Sequence, residues 1–164
     1  MLAALASQLA VLDSLRAGPG SQPAAPGSQP AAPGGPPHSG PGPSAGRLSD
    51  LQSACLDAVL AALGAGLRPQ PEAVRIAVRY LLDLLAAAAP GRAVEVRVPP
   101  YGAVQCVAGP THTRGTPPNV VETDPVTWLR LATGGLPWWE GVERCVVRAS
   151  GPRADLSPYL PIKR

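Results

Sequence analysis

The side chains with the widest chemical range fall in one short stretch: His112, Arg114, Asn119 and Glu122 follow one another around a polar, Pro-containing loop and the start of a strand. If they converge they can hold the polar end of a ligand, and Arg114 is the first choice because its planar fork matches a carboxylate or a phosphate. The same residues also fit purely structural roles. Arg114 can bridge loop carbonyls or pair with Glu122 or Asp124, Asn119 can fix a turn after two prolines, and His112 can simply be exposed. Catalysis is harder to assemble. Ser150, His112 and Asp155 are the residue types of a hydrolase triad, but no G-x-S-x-G surrounds the serine. Cys106 is near His112 in sequence but sits in a predicted strand, with no helix start or cation to lower its pKa, and is assigned to the core. His38 lies in a linker and His112 has no second His or Cys at ligand spacing, so no metal site is expected. The glycines at 109, 115, 134, 135, 141 and 151 mark turns, not a phosphate cradle. The expectation is a non-enzyme without a cofactor.

These residues must be positioned by elements that the hydrophobic periodicity marks out. Leu2, Leu5, Leu9 and Leu12 recur at helical spacing, which predicts an amphipathic helix over 1–17 ended by Gly18, Pro19 and Gly20. GSQPAAP then occurs twice in succession, at 20–26 and 27–33, within a Pro/Gly/Ala/Ser spacer over 18–46 that is expected to be disordered. Residues 47–164 form the domain proper. Ser49 and Gln52 make a capping box that predicts a helix start, with Leu51, Cys55, Ala58, Val59, Ala62 and Leu63 as its apolar stripe. A stronger helix starts at Pro71 and runs to the Pro90-Gly91 stop, with Val74, Ala77, Val78, Leu81, Leu84 and Leu85 on one face and Arg75, Arg79 and Asp83 on the solvated one.

From Ala93 the period changes to two. Val94, Val96 and Val98 alternate with Glu95 and Arg97, predicting a strand, and Ala103 to Ala108 reads as its return after Pro99-Pro100. Asn119 to Thr123 is a third strand. Asp124 caps a helix with Pro125 at its first position and Gly134-Gly135 at its end. Pro137 opens a further turn over Leu136 to Val142, Cys145 to Ala149 reads as a strand, and Asp155 or Ser157 starts a terminal turn. The order of elements predicts an α+β layer fold.

Composition narrows the function. The chain has 164 residues, and outside the spacer there is material for one domain of about 100 residues. The net charge is +3, but only Lys163 and Arg164 are adjacent basic residues, so no basic stripe exists to track a phosphate backbone. Phe is absent and aromatics make up 4% of the chain, against a base-stacking surface, so nucleic acid is not expected as a partner. Cys55, Cys106 and Cys145 are odd in number and far apart, which fits a reduced cytoplasmic protein. The apolar opening lacks a preceding Lys or Arg and is broken by Asp13, against a signal peptide, and no run reaches the ~20 apolar residues of a spanning helix.

The stretch VEVRVPPYGAVQCVAGPTHTRGTPPNVVETDPVTWLRLATG, followed by CVVRASG and RADLSPYLPI, resembles the short sterol-carrier-like proteins of actinobacteria. The likeness covers Arg68 to Ile162 and leaves out the N-terminal helix, the spacer and the Ser49 helix. It implies a single mixed sheet of about five strands covered on one side by helices, with an apolar tunnel between the layers for fatty acyl chains or sterols, and no catalysis. On that reading Leu81, Leu85, Trp128, Leu131 and Trp138 contribute an apolar ligand wall, with Arg114, His112 and Asn119 at the polar head. A dry core would use the same Leu and Trp residues equally well. Trp138 and Trp139 lie roughly 100° apart on a helix, so one can be buried while the other touches a membrane or covers a pocket mouth. The expected protein is thus a monomeric cytoplasmic binder of a lipid or other apolar small molecule, in transient contact with a membrane or a protein. The rival is a ligand-free interaction module whose N-terminal helix docks a partner through the flexible tether. A third and weaker reading, an enzyme domain related to sterol-carrier domains fused to thiol-dependent enzymes, lacks any catalytic partner in this chain.

Overall fold

Val94, Val96 and Val98 are fully buried while Glu95 and Arg97 between them are only half-buried, so β1 (Val94–Val98) has one face to cover. The computed structural model describes residues 43–109 and 119–163. The helix expected over 1–17, the spacer up to residue 42, and His112 and Arg114 lie outside the described residues. β1 pairs antiparallel with β2 (Gly102–Cys106) and parallel with β3 (Val120–Thr123). β4 (Val147–Ser150) runs antiparallel to β3, giving the order β2-β1-β3-β4. The uncovered face is polar, with Arg97 bonded to Glu95 and Arg148 3.9 Å from Glu122.

The covered face lies under helices, the α+β arrangement of a mixed sheet and flanking helices that the sequence predicts. These are α1 (Pro43–Gly64), α2 (Pro71–Ala88), α3 (Pro125–Thr133) and α4 (Trp138–Glu143), followed by a 3-10 turn at Ser157–Tyr159. α2 carries the widest buried face and packs on α1, on β2 and on α3. Its Arg75, Arg79 and Asp83 are exposed as expected, and Arg75 pairs with Glu72 one turn back. α3 is built as its sequence dictates. Asp124 accepts from the amides of Val126 (2.9 Å) and Thr127 (3.0 Å), Pro125 occupies the first turn, and Gly134 ends the helix in the left-handed region at φ +83°.

Three boundaries differ from the sequence reading, each for a local reason. α1 begins at Pro43, not Ser49, because proline suits the first helical turn; Ser49 lies inside the helix, and residues 43–46 are helical where the composition reads as spacer. On α1, Leu56 is fully buried, whereas Leu51 and Leu63 of the expected stripe are half-buried. β2 stops at Cys106 because Val107 takes φ +63°, and β4 starts only at Val147 because Cys145 takes φ +56°, neither compatible with an extended strand. Four strands are present among the described residues, against the five or so that the resemblance implies. After β4 the chain meets Pro152, Pro158 and Pro161, which have no amide to give to a ladder.

The ends of the sheet are tied by two backbone devices. Gly91, at φ +151°, passes so close to the exit of β2 that an added Cβ would sit 2.1 Å from the Val107 carbonyl oxygen. Asn119 is buried at the entry to β3, where its Nδ2 donates to the Ala93 carbonyl (2.7 Å) and its Oδ1 accepts from the Arg153 amide (2.9 Å). One side chain thus joins the starts of β1 and β3 to the segment after β4. Asn119→Ala strands two backbone groups, and the expected loss is about 2–4 kcal/mol of unfolding free energy in urea melts; a loss below about 0.5 kcal/mol would contradict the clamp.

Candidate functional site

Past β4 the chain returns over α3 and is pinned at two points. Leu156 is fully buried, and Ile162 is buried with its amide donating to the Ala132 carbonyl (2.9 Å). Between these anchors residues 157–161 stand off α3, and Gly134 faces Pro161 with room for an ordinary contact only. The third side is α4. Its Gly141 is buried, and a Cβ there would lie 2.9 Å from Val147 Cγ2 and 3.3 Å from Leu131 Cδ2, so a glycine is what lets α4 lie tight against α3 and β4.

These three segments enclose a half-open cleft of about 670 Å³. Leu131, Leu136 and Trp138 supply its apolar walls with Leu160 and Pro161, and Trp139 stands at its edge, 65% exposed. The polar groups of the lining side chains are the two indole N–H groups, the Asp155 carboxylate and the Ser157 hydroxyl. Asp155 Oδ1 accepts from the Ser157 amide (2.8 Å) in a local turn that fixes the carboxyl group. A predominantly apolar hollow of this size with a few convergent polar groups is the usual form of a small-molecule site. A second depression, of about 350 Å³, lies at the β3–β4 end beside Glu122, Asp124, Cys145 and Arg148 and is much more polar.

The residues singled out in the sequence separate into three groups. Leu131 and Trp138 line the cleft. Leu81, Leu85 and Trp128 are fully buried in the helix layer and do not line it, and the Trp128 indole Nε1 has no hydrogen-bond partner among the described residues. Asn119 uses both ends of its amide on the backbone of Ala93 and Arg153, a role other than the turn after two prolines weighed for it above, while His112 and Arg114 fall outside the described residues. Trp139 was weighed in the sequence for a membrane contact or a pocket mouth and Asp155 as the acid of a hydrolase triad, whereas Leu136, Ser157, Leu160 and Pro161 were not assigned to a site. The one signal for them was the pair of Pro-containing turns around Pro137 and Pro158, which mark chain reversals but not a gap between them.

Among the described residues no three His, Cys, Asp or Glu side chains are grouped so as to hold a metal ion. No helix among them is long and apolar enough to cross a membrane. A protein-family model described as "Bacterial SCP ortholog" matches residues 70–162, a span that contains the sheet, α2, α3, α4 and every wall of the cleft. No curated protein matches the chain.

The thiols divide sharply. Cys145 is exposed, whereas Cys55 and Cys106 are buried, and burial pushes the Cys106 thiol from its ordinary 9.0 up to about 11. Cys55 moves the same way, through burial and then the nearby Glu72 charge. A folded thiol that keeps its proton to higher pH than the unfolded one contributes its full stability below about pH 9 and loses it as pH rises toward 11. Unfolding free energy is therefore expected to fall by about 2 kcal/mol across that window, a slope that Cys106→Ala should reduce. At pH 8 an aromatic disulfide reagent should modify Cys145 alone in the folded protein; rapid labelling of all three cysteines would contradict the burial of the other two.

Proposed function

The chain belongs to the bacterial SCP ortholog family, and from that premise we propose that it binds an apolar ligand without transforming it, in the cleft between α3, α4 and residues 157–161. The single observation that carries this reading is that the cleft, of about 670 Å³, is walled by Leu131, Leu136, Trp138 and Leu160 and lies wholly within the matched span. The ligand class is a fatty acyl chain or a sterol-like lipid, as in the sterol-carrier-like proteins of actinobacteria that the sequence resembles, and the place of action is the cytoplasm.

One exposed apolar group extends this reading: Trp139, at the edge of the cleft, is 65% exposed. Apolar side chains at a cleft mouth suit a passing contact with a membrane or a protein during loading. The protein then works as a monomer.

Native mass spectrometry of the full chain, with extraction of co-purifying lipid, tests the proposal: a stoichiometric acyl or sterol-like species is expected. Trp138→Ala, which removes one wall, should weaken binding of that species about tenfold. Protein that is empty and ignores added fatty acids and sterols would overturn the reading in favour of a ligand-free interaction module.

A further inference from the structure

The charge of the cleft is one-sided. Asp155 is the only ionisable side chain among its lining residues, and no Arg, Lys or His is among them. Arg130 and Lys163, which neighbour lining residues in sequence, are both exposed and line no part of the cleft. The Asp155 carboxylate is held by its turn: Oδ1 takes the Ser157 amide, and among the described residues no hydrogen bond or ion pair engages Oδ2. A carboxylate offers acceptors only, so a partner must bring the proton. The ring faces of the two indoles act in the same sense, since they attract cations.

We infer that the cleft selects the head of its apolar ligand by charge, taking an ammonium or a hydroxyl and disfavouring a carboxylate or a phosphate. This deepens the proposed function and rests on it. The tail lies against Leu131, Leu136 and Leu160, and the head donates to Asp155 Oδ2 at the rim. A fatty acid bound in the same orientation would place its carboxylate beside Asp155 with no cation in the lining to neutralise either. At a separation of ~4 Å in a solvated rim, each sign of head-group charge changes affinity by about fivefold relative to a neutral head.

Decylammonium, decanol and decanoate, which share a ten-carbon tail and differ at the head, separate the possibilities when titrated into the full chain at pH 7.4 and low salt. Binding is read by the fluorescence of the cleft tryptophans and by calorimetry. The expected order is decylammonium, then decanol, then decanoate, with about fivefold between neighbours. Asp155→Asn keeps Oδ1 as acceptor for the Ser157 amide, so the turn survives while the charge is lost. In that variant the spread should collapse to about twofold with decanol nearly unchanged. Decanoate binding as tightly as decylammonium, or a spread that Asp155→Asn leaves intact, overturns the charge selection and leaves the apolar cleft standing. Failure of all three to bind overturns both.

Discussion

The one-sidedness of the sheet is the constraint from which the rest follows. With Val94, Val96, Val98 and Val121 on one face, and Glu95, Arg97, Glu122 and Arg148 on the other, only one layer of helices is needed, and every helix has to share it. β2 returns the chain to the end of the sheet where β1 starts, so β3 can pair parallel with β1, while α2 before β1 and α3 after β3 both come down on the apolar side. α2 and α3 meet there and bury Leu81, Leu85, Trp128 and Leu131 together. Asn119 supports this geometry from the sheet's end, joining the Ala93 carbonyl at the start of β1 to the Arg153 amide after β4.

A single helix layer has ends, and the cleft is at one of them. α3 is nine residues long and stops at Gly134, short of covering everything that lies beside it. The chain that follows turns back as α4, held close by the bare face of Gly141, and later returns as residues 157–161 between the buried anchors Leu156 and Ile162. The two proline-containing turns around Pro137 and Pro158 cannot interlock as side chains on regular elements do, so a hollow is left between them and α3, lined by the apolar residues that would otherwise have closed it. The site thus arises where regular packing stops.

That origin explains what the sequence revealed and what it did not. The elements with strong local signals were legible: the period-two valines of β1, the Asp124-Pro125 start and Gly134 end of α3, and the long apolar face of α2. Local signals failed where one residue's backbone angle decided the outcome. Val107 and Cys145 are ordinary strand formers that here take positive φ, and no neighbouring residue announces it. Ser49 offered a plausible cap inside a helix that had already started at Pro43. The cleft was half legible. Leu131 and Trp138 stood out as large apolar residues, but Leu81, Leu85 and Trp128 looked identical by periodicity, because the difference between wall and core is set by what the return segment leaves open.

Charge was read least well, for a related reason. Residue type favours arginine as the holder of a polar ligand end, since few side chains match a carboxylate or phosphate so closely, and Arg114 sits in an inviting loop. Chemical suitability says nothing about which groups share a cavity, however. The carboxylate of Asp155 reaches the apolar cleft because it opens the turn that leads to Ser157, a structural task common to aspartates at turn starts. Fixing the turn and facing the cleft require the two carboxylate oxygens separately, one for the Ser157 amide and one for whatever enters. A residue with a plain structural explanation therefore also sets the sign of the potential at the mouth, and that sign decides which apolar molecules the cleft can accept.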